Sequence, residues 1–322
     1  YTNTAASLFL NEIAGTHGVE YAVADACGNL SSVVSLVRAF TPLSGYVRVS
    51  NVSGGEVLGA VNAVNAIEGA GMVVSGKEVE EAAVAAGLHL AYDATGQSWE
   101  DVVAALNGTT STPWSRHSSC LQDPSKAGSL LGFCVVTRAL AWWTTNGGDP
   151  NDPATRQALG QLIAPAAVYG WGLSEFETVQ AASANGAWVH ASDWAHNLAL
   201  TSSFSLPAPS PPAPPSPPPA APPQKHTVAF VMSDGDNVQW ITNSFLLDPR
   251  WWAGERGKVA ISWTLSPALF RLIPAAMHYM FSTATPLDSF VAAPSGIGYA
   301  YPDCFTASFS STFATFSSAL MQ

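Results

Sequence analysis

Apolar and polar positions along this chain switch repeatedly between two periods. Short β-like runs fall at Glu20–Ala24, Gly45–Val49, Met72–Ser75 and Trp188–His190. Between them Ala and Val recur at helical spacing over Gly55–Glu68 and Lys77–Ala86, and Asp123–Trp143 reads as a longer helix. Gly69 and Gly87 follow directly on two of these runs, where helix ends favour a residue free to take positive φ. Such alternation predicts α/β layers around a largely parallel sheet. Further along, His226–Met232 and Val259–Trp263 are β-rich apolar runs, each followed by helix-like sequence.

The pattern stops over residues 206–224, LPAPSPPAPPSPPPAAPPQ, which hold 11 of the 23 prolines. Proline fixes φ and cannot donate to a ladder, so this stretch is expected to be a polyproline II spacer rising ~3.1 Å per residue. The boundaries that follow are 1–110 and 111–205 for two α/β domains, 206–224 for the linker and 225–322 for a last domain.

Composition narrows the setting. Of 322 residues 48% are hydrophobic, so a packed core is expected, but only 11% are charged, against about 25% in typical soluble domains. The formal net charge is −11 with 12 Lys and Arg in all, too few cations for a phosphate-binding surface, which excludes nucleic acid as a partner. No apolar stretch approaches the ~20 residues of a membrane helix. Tyr1 is not a translation start, so a longer precursor is expected, which leaves room for a removed signal. Sequons at Asn29, Asn51 and Asn107 point to a secreted, extracellular glycoprotein. The four cysteines, Cys27, Cys120, Cys134 and Cys304, form no CxxC and so argue against zinc. If oxidised they allow three pairings. Cys120–Cys134 closes the shortest loop, worth ~3 kcal/mol by chain entropy, and four buried thiols are the alternative.

The Pro-rich run resembles the hydroxyproline-rich modules of plant and green-algal wall glycoproteins, which implies hydroxylation and O-glycosylation. A second resemblance is carried by Gly296-Ile297-Gly298-Tyr299-Ala300-Tyr301-Pro302, which fits GxGYxYP at every fixed position. Ser233-Asp234-Gly235-Asp236-Asn237, Gln239-Trp240, Arg256-Gly257, Trp263, Pro267 and Pro294-Ser295 accompany it. Upstream, Gln122-Asp123-Pro124, Gly170-Trp171, Glu175, Asp193-Trp194 and Asn197-Leu198 extend it. Together they resemble the GxGYxYP putative glycoside hydrolase family from about Gly45 to Tyr301. The resemblance implies small α/β domains followed by a TIM-type barrel. Only 98 residues follow Gln224, against ~250 for a whole barrel, so an incomplete barrel is expected.

Glycoside hydrolysis requires two carboxyl groups flanking the scissile bond, ~5–5.5 Å apart for retention and ~6.5–9.5 Å for inversion. Asp234 and Asp236 follow a strand, where barrel enzymes place catalytic groups. If the chain stays extended there, residues i and i+2 face the same way and form an acid/base pair. The competing reading of Asp-Gly-Asp-Asn is a turn and helix N-cap. Asn237, Trp240, Tyr299, Tyr301 and Asp303 are candidate sugar contacts, the tyrosines by ring stacking. Glu175 reads as a helix-start residue, and His190, Asp193 and His196 as core or solvated positions rather than metal ligands. Trp142-Trp143 and Trp251-Trp252 are candidate platforms. No cofactor is expected, with a divalent cation at Asp234/Asp236 as a weak variant. The partner is carbohydrate. Two functions remain: a hydrolase acting on extracellular polysaccharide or glycoprotein glycans, and a non-catalytic building block of a matrix, wall or surface filament that contacts other matrix proteins.

Overall fold

The computed structural model describes residues 43–108, 114–126, 129–146, 148–205, 226, 228–243, 245–247, 251, 254–293 and 295–321. The readings at Glu20–Ala24, Cys27, Asn29, Trp252 and the Pro-rich run lie outside them. The chain is a mixed α/β protein with parallel sheets, and it divides into two compact units.

The first unit comprises the described part of residues 22–189 with 300–306. It begins with β1 (Gly45–Val49), α1 (Glu56–Ala66), β2 (Ala70–Ser75), α2 (Lys77–Ala85), β3 (His89–Asp93) and α3 (Trp99–Leu106). The strands run parallel in the order β2-β1-β3. Tyr46, Val47 and Val49 of the central strand are buried, as expected for a strand covered on both faces. Helix α2 stops where the sequence reading puts it: Gly87 takes φ +81°, and the Leu88 and Gly87 amides bond back to Ala83 and Val84. Ser98 and Asp101 form a capping box that starts α3. Arg48 spans Glu80 (3.2 Å) and Asp93, and its hydrogen bond holds the Asp93 carboxyl well below its ordinary range.

A second sheet follows in the same unit, built from β4 (Ser118–Leu121), β5 (Leu140–Trp142), β6 (Ala166–Gly170) and β7 (Ala187–His190) in the order β5-β4-β6-β7. Its helices are α4 (Leu131–Val136), α5 (Pro153–Gly160) and α6 (Glu175–Ala184). The expected long helix over Asp123–Trp143 does not form. Asp123 makes a side-chain turn with the Ser125 amide (2.9 Å), Pro124–Lys126 is a single 3₁₀ turn, and α4 ends where Arg138 takes φ +51°. Leu140–Trp142 then joins β4 as a fully buried strand. Its apolar triplet has no periodicity of its own, so pairing decides it. Cys120 of β4 is disulfide-bonded to Cys134 of α4, with Cα atoms 6.1 Å apart.

Strand β5 would be an open edge, and α1 covers it. The buried Asn62 amide donates to the Ala141 carbonyl and accepts the Ala141 amide, both at 2.8 Å, so a side chain takes the place of a neighbouring strand. Asn65 of the same helix donates to Ala139 O at 3.0 Å.

The second unit comprises the described part of residues 190–299 and 307–322. After α7 (Leu198–Thr201) come β8 (Val231–Met232), α8 (Val238–Asn243), β9 (Ile261–Leu265), α9 (Leu269–Leu272), α10 (Pro274–Ser282), β10 (Asp288–Ala292) and α11 (Ala307–Met321). The strands are parallel and spatially consecutive, β10-β9-β8. Of the strand expected over His226–Met232, the described strand is Val231–Met232, with Phe230 O also accepting the Ser262 amide at 2.9 Å, and the one expected at Val259–Trp263 begins at Ile261. Asp288, 1% exposed at its side chain, accepts from Arg256 (2.9 Å), Trp263 Nε1 (2.8 Å) and the Thr285 amide (2.7 Å). The Arg256 guanidinium lies over the Trp251 ring at 4.2 Å. Trp142 and Trp251 are core residues, not platforms.

Replacing Asn62 by Ala strips both backbone groups of Ala141 of their partner. Each buried group left unsatisfied costs ~1–3 kcal/mol. Asn62→Ala is expected to lower unfolding free energy by about 2 kcal/mol or more in urea titrations, and an unchanged midpoint would contradict the edge-covering role.

Candidate functional site at the carboxyl edge of the second unit

Ser233–Asn237 leave the carboxyl end of β8. Asp234 takes φ +68°, a left-handed conformation that Asp tolerates better than most residues, and the Asn237 amide closes the turn onto Asp234 O at 3.1 Å. The chain is therefore not extended here. Asp234 and Asp236 do not face one way as expected: Asp234 is exposed, whereas Asp236 is 8% exposed. Glycine is obligatory between them, because a Cβ on Gly235 would lie 1.4 Å from the Thr264 carbonyl of β9. Its amide donates to Thr264 Oγ1 at 3.2 Å. Asn237 accepts the Trp240 amide (3.3 Å) and so starts α8, in line with the capping alternative.

Asp236 is not consumed in capping. Ser295 Oγ donates to its Oδ2 at 2.8 Å, and Tyr299 OH donates to its Oδ1 at 3.2 Å. Each carboxylate oxygen thus receives a hydroxyl from the loop after β10. That loop turns at Gly296, where φ is +63° and a Cβ would lie 2.8 Å from Ser317 Oγ. The Asp-Gly-Asp block and the Gly-rich block, far apart in sequence, form one site.

Beside it lies a small, largely enclosed cavity of about 10 Å³, lined by Asp234, Gly235, Trp240, Phe245 and Thr264 with Met232, Ser233 and Ile241. This is room for about one water, far below the roughly 300–1,000 Å³ usual for small-molecule sites. Trp240 packs edge-on against Phe245 (6.0 Å), which packs in turn on Trp251 and Trp263. Helix α8 is braced from behind. Gln239 Oε1 accepts the Trp194 amide (2.7 Å), Asn243 donates to Trp194 O (2.7 Å), and the Gln239 amide donates to Ala191 O (3.0 Å). The Asp193-Trp194 block therefore supports the site and does not line it.

Tyr301 and Asp303 belong to the other unit. The Tyr301 ring packs on Phe176 at 5.7 Å and its amide donates to Ser183 Oγ at 2.9 Å. Burial, then Glu175, Cys304 and Asp303, raise the Tyr301 phenol above its ordinary value. Asp303 is exposed, and Glu175 is exposed in the first turn of α6, which Ser174 caps. His190, buried at the end of β7, has its pKa pushed down to about 3 by burial. Asp193 is buried and His196 half-buried. Among the described residues no three His, Cys, Asp or Glu side chains converge as a metal site, and no helix is long and apolar enough to cross a membrane. The signal that could have found Ser295 as a site residue is its place directly before the Gly-rich block.

A carboxylate presented at the carboxyl edge of parallel strands, held by the loop of a neighbouring strand, is the usual placement of an α/β ligand site. The domains themselves are recognisable. Residues 224–322 match the GxGYxYP putative glycoside hydrolase C-terminal domain, and residues 116–203 match the GxGYxYP third domain. The fold is similar to that of a putative hydrolase from Bacteroides thetaiotaomicron, with TM-score 0.86 and 21% identity over 100% of this chain. The chain spans 61% of that protein's length. No curated protein matches it.

Two outcomes test this geometry. Gly235→Ala is expected to abolish the native turn, because the new methyl meets backbone, and to lower the melting temperature sharply; a native-like melt would refute the close approach. His190 stays neutral when folded above about pH 3, but its unfolded counterpart takes up the charging proton below ~6.5. The unfolded state then holds the extra proton between these values. Stability is expected to fall as pH drops through that window, by at most ~1.4 kcal/mol per pH unit from this group. Urea unfolding at pH 7, 5.5 and 4 should show a shallower acid loss in His190→Gln, and identical slopes would contradict the assignment.

Proposed function

We propose that this chain carries the working edge of a secreted glycoside hydrolase acting on extracellular polysaccharide or glycoprotein glycans. The observation that carries the reading is the Asp236 carboxylate, buried yet held by Ser295 and Tyr299 hydroxyls and not by capping contacts. Its carboxyl oxygens, already accepting hydroxyl protons, suit a group that orients a sugar hydroxyl or a water. Asp234, exposed and lining the small cavity beside Trp240, supplies the second carboxyl group. Asn237 caps α8 through its Oδ1, which sets the direction in which the turn leaves the site. Consecutive parallel strands β8, β9 and β10 fit the opening of a barrel. The Cys120–Cys134 disulfide and the exposed Asn51 and Asn107 fit an oxidising, glycosylating compartment. The Pro-rich run would then be a hydroxylated, glycosylated spacer, and no cofactor is invoked.

A second reading is favoured by exposed apolar side chains on both outer strands of the three-stranded sheet, Val231 (58%) on β8 and Val291 (40%) on β10. It makes the chain a non-catalytic matrix component that associates with other extracellular proteins. The test is turnover of wall and mucilage glycans. Asp236→Asn is expected to lower it by about 10²–10⁴-fold, with Asp234→Asn also impaired. No turnover by the wild type, or turnover that ignores both substitutions, would leave the matrix reading.

A further inference from the structure

We infer that Ser266 is the positioning residue that sets the contact between Tyr299 and Asp236. The inference rests on Asp236 being the working carboxylate of the proposed function. The two loops that meet at Asp236 come from β8 and β10, the outer strands of their sheet. What lies between them is the end of β9, and Ser266 is the first residue beyond that strand.

Ser266 is 0% exposed and is bonded to both loops at once. Its amide donates to Gly235 O at 2.9 Å, inside the Asp234–Asp236 turn. Its hydroxyl donates to Ile297 O at 3.1 Å, inside the Gly-rich loop. The same Oγ accepts the Ala268 amide at 3.3 Å. A serine hydroxyl has one proton, so accepting from Ala268 leaves that proton aimed at Ile297. Ile297 is itself buried, and its amide donates to Ser317 Oγ at 3.2 Å. Both sides of this residue are therefore fixed. Ser295 and Tyr299, the two donors to Asp236, lie two residues either side of it. The hydroxyl of Thr264, on β9 itself, serves the β8 side: it accepts the Gly235 amide and donates to Met232 O. Ser266 alone among these contacts bridges the two loops by hydrogen bonds to each.

Removing the hydroxyl should leave the Asp236 turn in place, because the Ser266 amide remains, while releasing the Ile297 carbonyl. The readout is the Tyr299 ring signal in protein labelled with ¹³C-tyrosine, assigned by its loss in Tyr299→Phe. In Ser266→Ala that signal is expected to move towards its position in Asp236→Ala, and in Ser266→Thr, which keeps a hydroxyl, to stay at its wild-type position. A wild-type Tyr299 signal in Ser266→Ala, whatever the change in melting temperature, overturns the inference. Should the threonine methyl not fit, the cycle of Ser266→Ala with Tyr299→Phe decides. A melting shift in the double variant smaller than the sum of the two single shifts supports the coupling, and fully additive shifts overturn it. Neither readout uses a substrate, so an inactive glycan screen removes the functional reading while leaving this result to stand or fall separately.

Discussion

A carboxylate taken out of water is costly unless hydrogen-bond donors replace the lost solvent. Asp236 meets that condition through two hydroxyls borne by a loop from another strand. The surrounding architecture follows from it. Gly235 must lack a side chain so that the turn can lie against β9, Gly296 must take positive φ so that the donor loop can fold back, and Asn237 must start α8 so that the turn leads away from the site. A buried charge is weak evidence for stability by itself. Holding one in place with so many local constraints points to use.

The first unit has a different logic. Both of its sheets place a later strand on the far side of the first, β2-β1-β3 and β5-β4-β6-β7, whereas the second unit lays its strands down in sequence. Reversal of direction creates crevices at strand ends. In the first sheet the loops at that end are drawn together by Glu56. Burial opposes its charge, but the Ser50 hydroxyl and the amides of Ser50, Gly96 and Asn51 outweigh that and lower its pKa. The signature motif is also divided: Tyr299 serves Asp236, while Tyr301 packs on Phe176.

Strands with dense branched residues were legible in the sequence. Gly45–Val49 forms as expected, and Lys77 begins its helix at the expected position. Strands such as Ala166–Gly170 and His89–Asp93 carry little β preference and exist because their neighbours pair with them. Leu140–Trp142 was submerged in a helical reading for the same reason. At the site, Asp234, Asp236 and Tyr299 were visible as motif residues, but contacts 59 and 63 residues apart are tertiary facts that spacing does not encode. The assumption of an extended Asp234–Asp236 pair failed because backbone closure onto Thr264 forces the turn.

The most direct measurement is a crystal structure of the protein soaked with a neutral oligosaccharide from a wall or mucilage glycan. The account predicts a sugar oxygen within hydrogen-bond distance of Asp236, with Tyr299 or Ser295 rearranged to admit it and Trp240 at its flank. A sugar bound elsewhere, with the Asp236–Ser295–Tyr299 contacts untouched, would contradict it.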